Sequence, residues 1–188
     1  CQSRRQLAPD DPFKPFVLIC AHAGIKTGED GPTHADPQPL QLLQENFPKG
    51  VMISLTPWDP QEMLPLFVAA LQKRPAVLAP FVTRPNEKVL DRAALGLEPA
   101  EVCVTGVYAL RKADPKRKRD GTVVLQESGV AYAFLEEALP LLDKQGLNLN
   151  VFYVASAELF DLLPEAEQKR IFPGELAAEA IGITGFTL

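Results

Sequence analysis

The two histidines of this 188-residue chain, His22 and His34, lie on one irregular segment of the sequence. The acidic residues Glu29 and Asp30 stand between them, within the string Gly-Glu-Asp-Gly-Pro-Thr-His. Imidazole suits proton transfer near neutral pH, and two imidazoles with a carboxylate around one pocket could carry acid–base chemistry. The alternative, that both histidines are ordinary polar loop residues, stays open at this point.

Metal ligation is a weaker interpretation of the same segment. The histidines are twelve positions apart, and with Glu29 and Asp30 they do not match a known metal-ligand spacing. Cys1, Cys20 and Cys103 are widely spaced and include no Cys-x-x-Cys pair. We therefore predict no metal site and no disulfide framework, and the cysteine usage favours a reducing compartment, the cytoplasm.

Arg84 is the third kind of candidate, because it follows an apolar run at residues 76–82. A guanidinium at such a strand exit can hold a phosphate by two parallel hydrogen bonds. Its position alone favours the simpler interpretation, a solvated arginine. In an open parallel sheet, however, ligands bind beyond the carboxyl ends of the strands. If these residues act together, His22, Asp30, His34 and Arg84 must converge on one cavity at that edge, and both interpretations of Arg84 stay open at this point.

Three short apolar runs predict the strands that position these residues. Residues 16–21, 51–55 and 76–82 lack alternation, which is typical of strands buried on both faces of a parallel sheet. The segment at 22–38 that follows the first run holds three glycines and two prolines and cannot be regular structure.

Helical signals alternate with these strands. A short helix begins near residue 40, and Asp59, Pro60 and Glu62 form a start signal for a helix that runs to about residue 73. One face of the second helix carries apolar side chains: Met63, Leu66, Phe67, Ala70 and Leu71. The order of strands and helices predicts an α/β layer with a parallel sheet.

The second half of the sequence predicts another α/β unit. We expect a strand at 101–110, a basic hairpin loop at 111–121, a strand at 122–126, a helix at 128–145 capped by Ser128, a strand at 147–155, a helix at 157–170 interrupted at Pro164, and a strand at 177–184. The predicted fold is thus α/β, with two three-layer units and mostly parallel sheets. Residues 1–84 form the first domain, 85–100 a linker and 101–188 the second domain.

Composition excludes several classes of function. Hydrophobic residues make up 46% of the chain and charged residues 23%, which are globular values. No apolar run approaches the roughly 20 residues that a membrane helix needs, so we expect no membrane partner. The net charge of −5 argues against nucleic acid, and the basic segment at 111–119 fits a solvated loop tip.

Four motifs in order resemble the transketolase family. They are residues 21–25 with 28–34, Pro57-Trp58-Asp59, Thr83-Arg84, and Glu127-Ser128-Gly129-Val130 followed by a helix and a strand. The resemblance runs from about residue 16 to the end of the chain. It identifies the latter part of the family's pyrimidine-binding domain and the first part of its C-terminal domain.

The resemblance implies a cofactor-dependent transferase. Transketolases use thiamine diphosphate and a divalent metal, Mg²⁺ or Ca²⁺, to transfer a two-carbon ketol unit from a ketose phosphate to an aldose phosphate. That reaction belongs to the pentose phosphate pathway, and the family's enzymes are homodimers. The implied partners of the full-length enzyme are therefore sugar phosphates and a second copy of the chain.

The resemblance also implies a role for each candidate residue. His22 would act in catalysis and contact the substrate, and Asp30 would bond the donor hydroxyl that sets sugar stereochemistry. His34 would act in catalysis beside the cofactor, and Arg84 would bind the sugar phosphate. Departures at Ala23 and Gly24, among others, put the exact sugar in question.

The sequence also lacks parts that the family uses. The diphosphate-and-metal domain and the glutamate that activates the cofactor are not found in it. We therefore expect a fragment that binds no thiamine diphosphate on its own and is inactive alone. Two alternatives remain open: a 1-deoxyxylulose-5-phosphate synthase-like thiamine enzyme, and a non-catalytic module that retains the transketolase fold.

Overall fold

Two β-sheets organise the chain. The computed structural model describes residues 14–21, 38–44 and 46–186, with one sheet of three strands and one of four. Six of the seven strands run parallel to a neighbour, which confirms the predicted α/β class with two mostly parallel sheets.

The first sheet has the order β1-β3-β2, with all three strands parallel. Its elements are β1 (Phe16–Val17), α1 (Gln38–Leu43), β2 (Met52–Leu55), α2 (Pro60–Gln72) and β3 (Val77–Pro80). The chain steps past β3 to reach β2 and then returns, so right-handed crossovers put α1 and α2 on opposite faces. Leu40 of α1 accordingly packs with Met52, whereas Leu66 of α2 packs with Ile53.

Helix α2 begins where the sequence predicts it. Asp59 Oδ1 accepts a hydrogen bond of 2.6 Å from the Gln61 amide, and Pro60 occupies the first turn. The buried face differs from the predicted one, because Glu62 is fully buried while Leu71 is 37% exposed. The helix is rotated so that the carboxylate of Glu62 meets partners in the interior.

Strand β1 pairs as predicted, but its predicted burial is wrong. The amides of Phe16 and Leu18 donate to Ala76 O and Leu78 O at 2.9 Å. Phe16 is nevertheless 55% exposed and Ile19 64% exposed. Within the described part of the chain, β1 lies at the edge of the sheet with β3 on one side only, and no core cluster includes Phe16 or Ile19.

The second sheet has the order β4-β6-β5-β7. Strands β5, β6 and β7 are parallel, whereas β4 runs antiparallel to β6. Its elements are a 3₁₀ helix (Ala100–Thr105), β4 (Val107–Arg111), β5 (Gly121–Gln126), α3 (Ser128–Ala133), a π turn (Phe134–Ala138), α4 (Leu139–Lys144), β6 (Leu149–Val154), α5 (Ala157–Asp161), α6 (Glu165–Ile171), α7 (Gly174–Glu179) and β7 (Ala180–Thr184).

Three strand and hairpin predictions in this half need correction. The predicted strand at 101–110 is a 3₁₀ helix followed by β4. The basic segment at 111–121 does not close a hairpin, because β6 lies between β4 and β5. The predicted strand at 177–184 begins only at Ala180, after α7. The predicted helix break at Pro164 is confirmed, since α5 ends at Asp161 and α6 follows Pro164.

Gly106 allows the turn before β4 to approach the start of α5. It has a φ of +82°, and a Cβ there would lie 2.2 Å from Ser156 O and 2.6 Å from Phe160 N. Its carbonyl accepts hydrogen bonds from the amides of Ala155 at 2.7 Å and Ser156 at 3.0 Å. Only glycine fits this conformation and this contact.

The two sheets meet along the free edge of β2. Ser54 donates to Glu158 Oε2 of α5 from its amide at 3.2 Å and from its hydroxyl at 2.7 Å. Thr56 donates from its hydroxyl to Val154 O at 2.8 Å, and the Tyr153 hydroxyl donates to Thr56 O at 2.6 Å. Burial raises the pKa of Glu158. The second unit thus supplies the hydrogen-bond partners that a further strand would otherwise provide.

The helices within the described ranges are short or polar. None of them combines the length and the apolar composition required to cross a bilayer.

Candidate functional site

A cleft of about 500 Å³ lies at the carboxyl ends of β2 and β3. One wall follows β2, a second wall follows β3, and Ser128 enters from the second unit. The lining residues are Pro57, Trp58, Asp59, Pro60, Met63, Val82, Thr83, Arg84, Pro85, Asn86, Glu87 and Ser128. Parallel sheets bind ligands at this edge.

Arg84 lies on the wall of this cleft, where the sequence predicts it. The residue is exposed and follows β3 by four positions. The wall beside it combines the amide of Asn86, the carboxylate of Glu87 and the hydroxyl of Ser128. The guanidinium fork with the neutral amide and hydroxyl beside it suits an anionic, hydroxylated ligand, whereas the carboxylate of Glu87 opposes an anion in the same cleft.

His22, Asp30 and His34 lie outside the described residues. The strand that leads to them is described, and its end lies at the same edge as Arg84. Cys20 pairs with Phe81, and the Val82 amide donates to Cys20 O at 2.9 Å. Cys20, close to the end of this described stretch, therefore lies beside the strand end that leads to Arg84.

A buried ionic cluster underlies the cleft. Arg92 Nη2 lies 2.5 Å from Asp59 Oδ2 and 2.7 Å from Glu62 Oε1, and its guanidinium stacks 4.7 Å above the Trp58 ring. Tyr108 of β4 donates to Glu62 and accepts a hydrogen bond of 2.9 Å from Trp58 Nε1. The cluster therefore joins α2, the connection between the units, and the second sheet.

The ionisation of Glu62 reflects opposing influences. Burial is the largest influence and raises the pKa of Glu62 to about 7. The charge of Arg92 and the hydrogen bond from Tyr108 act in the opposite direction. Because Asp59 and Glu62 share one cation in the interior, the position of Arg92 determines whether both carboxyls are compensated.

Ser128 does not cap its helix as the sequence predicts. The cap is Glu127, which has a φ of +87° and whose side chain accepts from the amides of Gly129 at 2.7 Å and Val130 at 2.9 Å. Ser128 Oγ instead lies 2.8 Å from Trp58 O and 3.2 Å from Glu87 Oε1. This arrangement brings the second unit to the cleft.

Sequence reasoning missed Glu87, Arg92 and Tyr108. Arg92 and Glu87 fall in the segment 85–100, whose composition indicates only a linker. The only sequence signal near this cluster was Glu62, which the sequence presents as part of a helix start. In the structure its carboxylate also accepts hydrogen bonds from Arg92 and Tyr108.

The described residues offer no metal site. Across residues 14–21, 38–44 and 46–186, no group of three or more His, Cys, Asp or Glu side chains could hold an ion. We therefore assign no divalent metal to any of these described residues.

Known proteins similar to this chain are transketolases, although no protein-family model matches it. Transketolase from Aquifex aeolicus (strain VF5) is 29% identical over 174 residues, which cover 90% of this chain and 24% of that protein. Transketolase from Pichia stipitis, solved with sedoheptulose 7-phosphate, aligns with a TM-score of 0.64 and 25% identity, covering 81% of this chain and 21% of that one.

A third comparison supports the fold. Transketolase from Leishmania mexicana aligns with a TM-score of 0.69 at 22% identity, covering 90% of this chain and 23% of that one. The chain thus spans less than a quarter of the length of each of these three proteins. Its sequence and its fold together confirm the predicted resemblance: the chain is a relative of the transketolases over one part of their length.

Proposed function

We propose that the cleft binds the phosphate end of a sugar phosphate, as part of a transketolase-type active site. The observation that carries this proposal is the position of Arg84 on the cleft wall at the carboxyl ends of β2 and β3. The transketolase of Pichia stipitis was solved with sedoheptulose 7-phosphate, and its similarity to this chain supports the same class of ligand.

The physical basis is the geometry of the guanidinium. Its planar fork presents two parallel N–H groups to two phosphate oxygens and stays charged at any physiological pH. Asn86 and Ser128 in the same wall offer hydrogen bonds to sugar hydroxyls. Apolar Pro57 and Met63 shield the carbon backbone of the sugar from water.

The reaction we propose is transfer of a two-carbon ketol unit between sugar phosphates in the pentose phosphate pathway. Thiamine diphosphate, with its divalent metal, would supply the carbanion chemistry when bound to the full-length enzyme. His22 and His34 would move protons at the reacting oxygens, with His34 beside the cofactor, and His22 would also contact substrate. Asp30 would orient the donor hydroxyl.

The proposal extends to the domain organisation of the chain and to the oligomeric state and location of the full-length enzyme. We assign residues 1–84 to a pyrimidine-binding domain, 85–100 to a linker and 101–188 to the C-terminal domain. The working enzyme would be a cytoplasmic homodimer, and the 188 residues alone would bind sugar phosphate without turnover. The relatives named above are transketolases, which favours this activity over that of 1-deoxyxylulose-5-phosphate synthase.

The test is ligand binding by the 188-residue chain. NMR or calorimetric titration with ribose 5-phosphate, against ribose at the same concentration, is expected to show binding of the phosphorylated sugar. Arg84→Ala is expected to weaken that binding by about tenfold or more, the loss of a charge-assisted bidentate contact. Lys88→Ala is the matched control, because its ammonium pairs with Glu136 and does not line the cleft. Equal affinity in Arg84→Ala and the unsubstituted chain would refute the proposal.

A further inference from the structure

We propose that Glu87 is a positioning residue that holds Arg84 at the cleft by linking Thr83 to Ser128 of the second unit. This inference rests on the proposed function of Arg84 and adds to it the residue that fixes its place. It also gives the second unit a part in the site, since Ser128 lies at the start of α3.

The first link closes a short loop around Arg84. Thr83 Oγ1 donates to Glu87 Oε1 at 3.0 Å, so the five residues 83–87 form a ring with Arg84 inside it. The entry to this ring is fixed as well, because the Val82 amide is bonded to Cys20 O at 2.9 Å. A loop held at both ends samples fewer backbone conformations.

The second link fastens the ring to the second unit. Ser128 Oγ lies 3.2 Å from Glu87 Oε1 and 2.8 Å from Trp58 O, and its single proton can serve either acceptor. Ser128 is buried, and the cap formed by Glu127 fixes its backbone. The loop with Arg84 is thereby placed relative to the Trp58 wall of the same cleft.

The consequence is preorganisation. A guanidinium whose backbone is already placed loses less conformational entropy when it takes up a phosphate. The negative charge of Glu87 acts the other way, because it lies in the same cleft and repels a phosphate. Removing the link should weaken phosphate binding, whereas removing the charge alone should not.

The test uses three variants of the 188-residue chain and ribose 5-phosphate as the probe. Glu87→Ala removes link and charge, Glu87→Gln keeps the accepting Oε1 and removes only the charge, and Thr83→Val removes the donor without changing the size. We expect Glu87→Ala and Thr83→Val to weaken binding about three- to tenfold, the loss of about one hydrogen bond. Glu87→Gln should restore the affinity to within about twofold of the unsubstituted chain or increase it.

Hydrogen exchange supplies a second readout that does not depend on the ligand. Peptides covering residues 82–88 should exchange faster in Glu87→Ala and Thr83→Val, but not in Glu87→Gln, while peptides from β6 should be unchanged in all three. Urea unfolding identifies any variant that is globally destabilised, and Thr83→Val carries the test if Glu87→Ala does not fold.

The outcomes separate the two proposals. Weaker binding in Arg84→Ala with unchanged binding in Glu87→Ala and Thr83→Val would overturn the role of Glu87 alone. Tighter binding in both Glu87 variants would also overturn it, since only the charge would then matter. Binding that Arg84→Ala leaves intact would overturn the proposed function, and the role of Glu87 with it.

Discussion

The two outer strands of the first sheet are alike in composition and opposite in environment. Both β1 and β2 are apolar, and both pair in parallel with β3. Every residue of β2 is buried, and Ser54 on its outer edge bonds to the second unit. In β1, Phe16 and the nearby Ile19 are more than half exposed.

The difference shows that an apolar run specifies a strand, while its burial depends on what covers it. The edge of β2 receives hydrogen bonds and packing from β6 and α5, which follow about 100 positions later in the sequence. Among the described residues, β1 has no second strand on its outer side. Substitutions on the side of the first sheet where β2 meets the second unit should therefore lower the free energy of unfolding more than substitutions at β1.

The largest expected effect is at the buried ionic cluster of Arg92, Asp59 and Glu62, which lies just beyond the end of β2. Arg92→Ala leaves Asp59 and Glu62 buried without their shared cation, which should lower the free energy of unfolding by about 3–5 kcal/mol. Urea unfolding followed by Trp58 fluorescence measures it. Lys88→Ala, which breaks an exposed pair with Glu136, should change stability by less than about 1 kcal/mol. Equal losses in both variants would contradict the role of burial.

A matched pair of apolar truncations tests the strands directly. Leu55→Ala in β2 removes a fully buried side chain and should lower the free energy of unfolding by about 2–5 kcal/mol. Ile19→Ala, beside β1, removes a side chain that is 64% exposed and should change it by less than about 1 kcal/mol. Chemical denaturation of both variants makes the comparison, and a larger loss for Ile19→Ala would reverse it.

The pH dependence of stability should reveal Glu62. Its pKa is raised from 4.5 to about 7 by burial, so the folded chain holds a proton that the unfolded chain releases in that interval. The free energy of unfolding should therefore fall as pH rises from about 4.5 to about 7, by up to about 3 kcal/mol. Glu62→Gln cannot titrate and should lose this component of the slope in denaturation series across that range. An unchanged slope in Glu62→Gln would assign it to other groups.

The smallest expected effect is at the edge of β2 itself. Ser54→Ala removes the 2.7 Å hydrogen bond to Glu158, whose other oxygen is buried and has no hydrogen-bond partner among the residues that the structure describes. The loss should be about 1–2 kcal/mol in urea unfolding. It should also raise the pKa of Glu158 further, because the Ser54 hydroxyl lowers it now, and carboxyl NMR titration measures that shift. A lowered pKa would indicate that water replaces the hydroxyl.

Sequence signals predicted the ends of helices correctly where a few neighbouring residues determine them. The start of α2 follows from Asp59 and Pro60, and the break between α5 and α6 follows from Pro164, because caps and prolines act within a few residues. The hairpin at 111–121 failed for the opposite reason. The strands on either side of this loop are separated by β6, which begins at Leu149. No residue in the loop indicates that a later strand inserts between them.

The candidate site divides in the same way. The place of Arg84 after a strand is a local feature that the sequence predicts, and the structure puts the residue on a cleft wall. Its role as a phosphate ligand came from the family resemblance and stays a prediction. The convergence of His22, Asp30 and His34 with it stays a prediction. Glu62 and Arg92 were missed as buried partners, because 29 residues separate them and only the folded chain brings their charges together.

One missing methyl group sets how closely the turn before β4 packs on α5. Because position 106 carries only hydrogen, the turn before β4 comes within bonding range of α5, the same helix that delivers Glu158 to the rim of β2. Even alanine there would force the turn and α5 apart, and a shift of α5 would disturb the contact of Glu158 with Ser54. Position 106 would thus affect the contact between the two units only indirectly, through the placement of α5.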